Sequence, residues 1–347
     1  MQYCTDKEQL NNTFSIMKGI GIILMVVGHT TSPLHDFIYL FHMPLFFMIS
    51  GFFFKSKYIT NKRHFIKKRL YRLYMPFLVW NLFFLVFHNI IYQLGIYPDL
   101  YAGINTYISR LIKIFCFTRA EPLLHPLWFL KSLFISSCFM LFVFRLTINL
   151  QKKEVIQVII FIALFICGFI AKKNEGFSPY DLHRELMTMF LIYSGFIIAK
   201  YKSIFLRPNP IIAVCFFNLL VVCSMFFTFE LVASEIINPI LLLLISFLGF
   251  YMTFTFSYYF LSCRLFSSWL IYIGKNTMPI LILHLVAFKV FSLVLDNLFG
   301  LQTLDHNSLF YTGNYHGIWI AFSIVGIVLP LACMECYKKT LSFVRIL

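Results

Sequence analysis

The chain alternates long apolar runs with short polar stretches over almost its whole length. A membrane-crossing helix needs roughly 20 apolar residues. Ten runs are candidates: 14–32, 36–54, 74–94, 126–145, 154–171, 186–200, 210–229, 236–261, 268–295 and 316–336. The sixth is short, which suits a tilted or partly re-entrant helix. The ninth is long and interrupted by Gly274 and Pro279, so it is expected to begin as an interfacial turn. The pattern predicts an all-α integral membrane protein of about ten transmembrane helices, with residues 1–347 forming a single polytopic domain. Residues 1–13 are polar and show no short apolar core with a small-residue cleavage site. The first span is therefore expected to act as the targeting signal.

Composition agrees with the pattern. The chain is 60% hydrophobic and only 12% charged, against about 25% charged in soluble domains. The net charge of +15 would suggest nucleic-acid binding in a soluble protein. Here its distribution decides otherwise. With the N-terminus in the cytoplasm, nineteen Lys and Arg fall on the cytoplasmic side and six on the other, and Lys18, Lys131, Lys275 and Lys289 lie within spans. That asymmetry puts both termini in the cytoplasm. The basic charge is a topology signal and a contact for anionic lipid, and no nucleic-acid partner is expected. Of nine cysteines, the only close pair is Cys333 and Cys336. It lacks two further ligands at matching spacing, so neither a metal site nor a disulfide framework is expected.

The chemistry concentrates in the first hairpin, residues 11–54. Lys18 and His29 stand eleven residues apart, about 16 Å and three turns along a helix, on nearly the same face. Lys18 would sit near one membrane surface and His29 past the midplane. Ionisable groups in an apolar span are costly to bury and point to a functional site. The plainer alternatives are a lysine that snorkels to the headgroups and a neutral core histidine. An unperturbed histidine titrates near 6.5, which suits a general base. No acidic residue lies in the middle of a span, so the partner that orients His29 is expected to be neutral or to come from the turn, where Asp36 is nearest. His42 enters from the outer side, and His88 and His284 lie in the third and ninth spans. No two histidines stand at i, i+3 or i, i+4, which argues against zinc.

Further along, Lys55 to Arg72 is a basic run, and Arg69 and Arg72 share one helix face at the cytoplasmic mouth of the third span. Arginine forks bind phosphates bidentately, although cytoplasmic positive charge alone accounts for most of the run. Trp128 and Phe129 look like an interfacial anchor opening the fourth span. Lys131, just inside it, needs a partner or a water-filled groove. The longest outer loops are 95–125 and 296–315. The second carries Asp296, Asp305, His306, Tyr311, Asn314, Tyr315 and His316, a mix that suits a sugar-facing loop and equally an ordinary solvated one.

Taken together, these residues resemble the membrane-bound acyltransferase family 3, in particular its fucose 4-O-acetylase-like branch. The resemblance rests on a cation, ten residues and a histidine in the first span (Lys18 to His29), and on FHMPLFFMISGFFF from Phe41 to Phe54. It continues in Arg69 and Arg72, in the LWFL run from Leu127 to Leu130, and in Gly274, Asn276, Thr277 and His284. Many members carry Arg at the position of Lys18, which lacks the bidentate fork. The resemblance implies transfer of an acetyl group from acetyl-CoA to a hydroxyl of a cell-surface or lipid-linked glycan, at the inner (cytoplasmic) cell membrane and without a metal. It implies that Lys18, Arg69 and Arg72 receive the coenzyme A phosphates. His29 would be the base, with His42, Ser50 and His284 in supporting catalytic places and Asp36, Trp128 and Asn276 toward the acceptor. Direct transfer and an acyl-enzyme on Ser50 or a histidine both fit. The alternatives are a glycan or lipid exporter without acyl chemistry and an acyltransferase using another donor such as succinyl-CoA.

Overall fold

A computed structural model describes residues 7–118, 120–173, 181–227, 238–301 and 317–344. It is 85% helical, with no strand among the described residues. Seven helical segments are long and apolar enough to cross a membrane: Lys7–Gly28, Pro122–Thr147, Lys153–Lys173, Leu182–Lys200, Pro239–Phe260, Thr277–Phe299 and Ile318–Thr340. Pro210–Phe226 is a shorter apolar helix. The chain is an all-α integral membrane protein.

The first hairpin forms as its pattern implies. α1 (Lys7–Gly28) carries Glu8 in its first turn, where a carboxylate suits the helix dipole. It ends in a tightened turn in which the His29 N–H reaches the carbonyls of Met25 and Val26 and the Thr30 hydroxyl caps the Val27 carbonyl. Pro33 cannot continue a helix, and the Ser32 hydroxyl accepts the Leu34 N–H, so the chain turns and α2 (His35–Phe52) begins.

The third apolar run differs from expectation. It is not one helix over 74–94. α3 (Lys62–Arg69), N-capped by Asn61, passes through a π turn at Leu70–Tyr74 into α4 (Met75–Val86). A break at Phe87 then precedes α5 (His88–Gln93). The helical rod thus starts inside the basic run, and its wide turn carries Arg72. Such π turns recur at functional sites. α6 (Ile104–Phe115) follows in what the hydropathy pattern makes a loop. After a 3₁₀ turn at Pro122–Leu127 come α7 (Trp128–Thr147), α8 (Lys153–Lys173), α9 (Leu182–Lys200), α10 (Pro210–Phe226) and α11 (Pro239–Phe260). The ninth run is split at Asn276 into α12 (Arg264–Lys275) and α13 (Thr277–Phe299). α14 (Ile318–Val344) closes the chain.

The helices divide into two compact units. The first holds residues 1–21, 36–76 and 129–271, with α2 at its centre. Phe14 of α1, Leu45, Met48, Ile49 and Phe52 of α2, Ile198 of α9 and Phe250 and Phe254 of α11 form one buried cluster. α2 and α9 cross at two glycines. A Cβ on Gly51 would stand 1.8 Å from the Ile192 carbonyl oxygen, and one on Gly195 would stand 1.9 Å from that of Met48. Only glycine permits this backbone approach. Ser132 and Ser136 of α7 meet Glu185 and Thr188 of α9, so these two helices run parallel. The opposite ends are tied by Arg145 to the Ile59 carbonyl and by the Lys200–Glu154 ion pair.

The second unit holds residues 22–35, 77–128 and 272–347. In it α13 packs along α14, and a Cβ on Gly326 of α14 would stand 2.5 Å from the Phe288 ring of α13 and 2.9 Å from Val26. The Pro122–Leu127 turn also packs on α13.

Candidate active site

In the second unit, the turn after α1 places His29 against α13. The buried face of α13 carries Ile280, Leu281, His284, Leu285 and Phe288, a helical stripe with one polar member. Nδ1 of His29 lies 2.8 Å from Nε2 of His284. The rings are stacked, 14° apart in plane with centroids 5.0 Å apart. His284 is 0% exposed, and its Nδ1 lies 2.9 Å from the Ile280 carbonyl oxygen.

These contacts assign the protons. A carbonyl only accepts, so His284 Nδ1 carries hydrogen and donates to Ile280. In the neutral ring Nε2 is then the lone-pair nitrogen, and it accepts from His29. His29 must therefore carry its own hydrogen on Nδ1, which leaves Nε2 as its basic nitrogen. The assignment follows from the hydrogen-bond network rather than from observed hydrogens. The arrangement is a backbone carbonyl, an orienting imidazole and a second imidazole with its base turned away from the first. When His29 takes a proton on Nε2, the imidazolium still donates to His284, and the new charge is met by a fixed acceptor. One partner of His29 is thus an imidazole 255 positions away in the chain. Lys289, further along the same helix, is also buried.

A second histidine in this unit is placed differently. His88 Nδ1 lies 2.8 Å from Glu121 Oε2, and its Nε2 lies 3.0 Å from the Asp99 carbonyl. The Asp99 carbonyl only accepts, so Nε2 carries hydrogen, and Nδ1 shares a proton with the Glu121 carboxyl group. Tyr101 stacks on the ring with centroids 3.3 Å apart, and its hydroxyl lies 3.4 Å from Glu121 Oε1. The Glu121 N–H donates to Asn81 Oδ1 at 2.7 Å.

The first unit gathers cations. Lys18 is half-buried on α1, and Arg72 is exposed on the π turn. Arg69 donates from Nη2 to the Ser50 hydroxyl at 3.2 Å, and its guanidinium lies 5.2 Å from the Phe65 ring centre. Burial pushes the Arg69 guanidinium down to about 10, still charged at neutral pH. Lys131 finds carboxylate partners, Glu185 at 3.4 Å and Asp181 at 3.6 Å, and Arg184 binds the same Asp181 oxygen at 2.9 Å.

Of the residues expected from sequence, the structure joins His29 to His284 and Arg69 to Ser50. His42 is buried and bonds the Ile38 carbonyl of its own helix at 2.9 Å. Asp36 is exposed in the first turn of α2. Asn276 sits at the break between α12 and α13 and donates to the Tyr272 carbonyl at 2.9 Å. Trp128 is half-buried at the start of α7. Lys18, Asp36, His42, Ser50, Arg69 and Arg72 belong to the first unit, and His29, Trp128, Asn276 and His284 to the second. The loop residues Asp305, His306, Tyr311, Asn314, Tyr315 and His316 lie outside the described residues. Sequence reasoning missed the buried carboxylates. Glu121 is 1% and Glu185 2% exposed, each just before or at the start of an apolar run. Their signal was positional: an acid beside Leu-rich sequence, with His88 and Lys131 each in need of a counter-charge. Among the described residues no third His, Cys, Asp or Glu joins the His29–His284 pair to make a metal-binding group.

Residues 11–335 match the family model of an acyltransferase domain, acyltransferase family 3. No curated protein and no solved structure matches the chain.

Proposed function

We propose, from the premise that this chain belongs to acyltransferase family 3, that it moves an acetyl group from cytoplasmic acetyl-CoA to a hydroxyl of a cell-surface or lipid-linked glycan at the inner membrane. The observation that carries the chemistry is the His29–His284 hydrogen bond. His29 Nε2 takes the proton of the acceptor hydroxyl as its oxygen attacks the thioester carbonyl. The new C–O bond forms, the C–S bond breaks, and the departing coenzyme A thiolate recovers the proton from the imidazolium. His284 holds the His29 ring and receives its Nδ1–H throughout. The donor's phosphates are the natural partners of Lys18, Arg69 and Arg72. Transfer is direct in this scheme, since the Ser50 hydroxyl is occupied with Arg69.

Positioned general bases contribute about 10²–10⁴-fold. Membranes holding wild type or His29→Ala are supplied with acetyl-CoA labelled in the acetyl group, and label is followed into the glycan fraction with folded protein quantified in both. Wild-type labelling that falls by about that factor in the variant is expected. Equal labelling would remove His29 from the chemistry. Labelling from succinyl-CoA in preference to acetyl-CoA would change the donor. Export of unmodified glycan with no labelling by either protein would favour the exporter.

A further inference from the structure

α6 (Ile104–Phe115) has three faces. One is docked on its own unit: Ile114 is 1% exposed, Tyr107 meets the Tyr101 ring edge-on at 5.7 Å, and Arg110 lies 5.0 Å over that ring. A second is polar and exposed, made of Asn105, Ser109 and Lys113. The third is apolar and exposed, made of Ile104, Ile108, Leu111, Ile112 and Phe115, with Ile104 at 71% and Ile112 at 57%. At 100° per residue these five side chains cover about 100° of the helix surface. Left in water, these side chains would forgo the burial that stabilises apolar surface. The helix carries two cations and no acid. It rests on the buried His88 group, since Tyr101, which holds both Tyr107 and Arg110, stacks on His88.

We propose that α6 lies flat in the membrane surface, with its apolar stripe among the upper acyl chains and Asn105, Ser109 and Lys113 on the side turned to water. The partner is the bilayer itself, preferentially an anionic one. Three features carry this choice over a protein partner. The helix belongs to an integral membrane chain. Other side chains of the same unit are apolar and exposed as well, among them Val86, Ile90 and Leu94. Its only charges are positive, which complements anionic headgroups. In the orientation expected from the Lys and Arg distribution, this is the outer leaflet. The His88–Glu121 couple then has a stated purpose: a rigid polar footing that fixes the depth and roll of a surface helix. The inference does not rest on the acyl-transfer reading.

The test uses the full chain in vesicles of phosphatidylethanolamine with phosphatidylglycerol. Ile108, Ser109, Ile112 and Lys113 are replaced one at a time by p-benzoylphenylalanine. All four positions are exposed, so folding should survive, and only monodisperse protein is irradiated. Lipid adducts at positions 108 and 112, with loss of the adduct at 109 and 113, are expected. Equal lipid labelling at all four positions would overturn the flat orientation. Cross-links to protein at 108 or 112 would show that another polypeptide covers the stripe and overturn the lipid assignment.

Discussion

His29 and His88 lie in the same unit, and each bonds a partner through Nδ1 at 2.8 Å. They differ in what their other nitrogen does. His88 Nε2 donates to the Asp99 carbonyl while Nδ1 is held by Glu121, so both nitrogens are engaged by the protein. His29 donates to a neutral imidazole, so its Nε2 keeps the lone pair that a base requires. Burial follows the same division. His88 and Glu121 are each 1% exposed, while His29 is half-buried at the end of a helix. A histidine can secure a fold or move a proton, and the chemistry of its neighbours decides which. A carboxylate on Nδ1 together with a carbonyl on Nε2 makes it a cross-brace. A second imidazole on Nδ1 makes it an oriented base.

The strongest way to break this contrast is to remove one partner from the buried couple. Glu121→Ala leaves the buried His88 Nδ1 without its partner, and an unsatisfied buried polar group costs about 1–3 kcal/mol, more where a charge is left. The unfolding midpoint of the protein in nanodiscs should drop sharply. His29→Ala should lower that midpoint less, while it lowers turnover by about 10²–10⁴-fold. If Glu121→Ala unfolds no earlier than His29→Ala, the couple is not the structural member of the comparison.

The next effect belongs to His284. Losing it leaves His29 basic but unoriented, and small misplacements of a reacting group cost about 10²-fold in rate. His284→Ala should reduce transfer by about that factor. His284→Gln, whose side-chain oxygen can accept the His29 Nδ1–H, should recover part of it. A spacer with no orienting role would give the two variants the same activity, and the same thermal stability would accompany them.

Much of the fold was readable from the chain because it is local. A polar turn follows the first run, and Gly274 marks the interruption of the ninth, which falls at Asn276 and not at Pro279. The individual side chains at the site were readable for the same reason, since an ionisable residue in an apolar run is visible by itself. What joins them was not. His29 reaches His284 across 255 positions and Lys131 reaches Glu185 across 54, and no periodicity in either helix specifies its neighbour. α6 was hidden for a different reason. The hydropathy of a bilayer-length window averages away a 12-residue helix whose apolar positions occupy one face. The π turn at Leu70–Tyr74 also has no signature in apolar spacing, so the third span was drawn too far along the chain.

In the first unit, a smaller effect tests whether Arg69 differs from a generic cytoplasmic cation. Its fork gives one N–H to Ser50 and leaves other donors for an anion. Lysine has the charge without the planar fork. Arg69→Lys should weaken donor binding about tenfold, the equivalent of one charge-assisted hydrogen bond, and leave the maximal rate with saturating acetyl-CoA nearly intact. Arg72→Lys, at an exposed position, should change it less. A fall in maximal rate alone would move Arg69 from donor binding to the reacting centre.

The smallest effect decides between direct transfer and an acyl-enzyme. Ser50 resembles His88 more than His29, because its hydroxyl oxygen accepts from a permanently charged group. A guanidinium held at about 10 does not take the hydroxyl proton at neutral pH, and it lowers the electron density a nucleophile needs. Ser50→Ala should therefore remove one hydrogen bond to Arg69, about 1 kcal/mol or roughly fivefold in donor affinity, with glycan acetylation continuing. A serine that carried the acetyl group would behave otherwise: Ser50→Ala would abolish transfer, and wild type incubated with labelled acetyl-CoA alone would retain label on the peptide that contains Ser50. That pair of results would replace His29 as the group that meets the acceptor first, and would leave it as the base that activates Ser50.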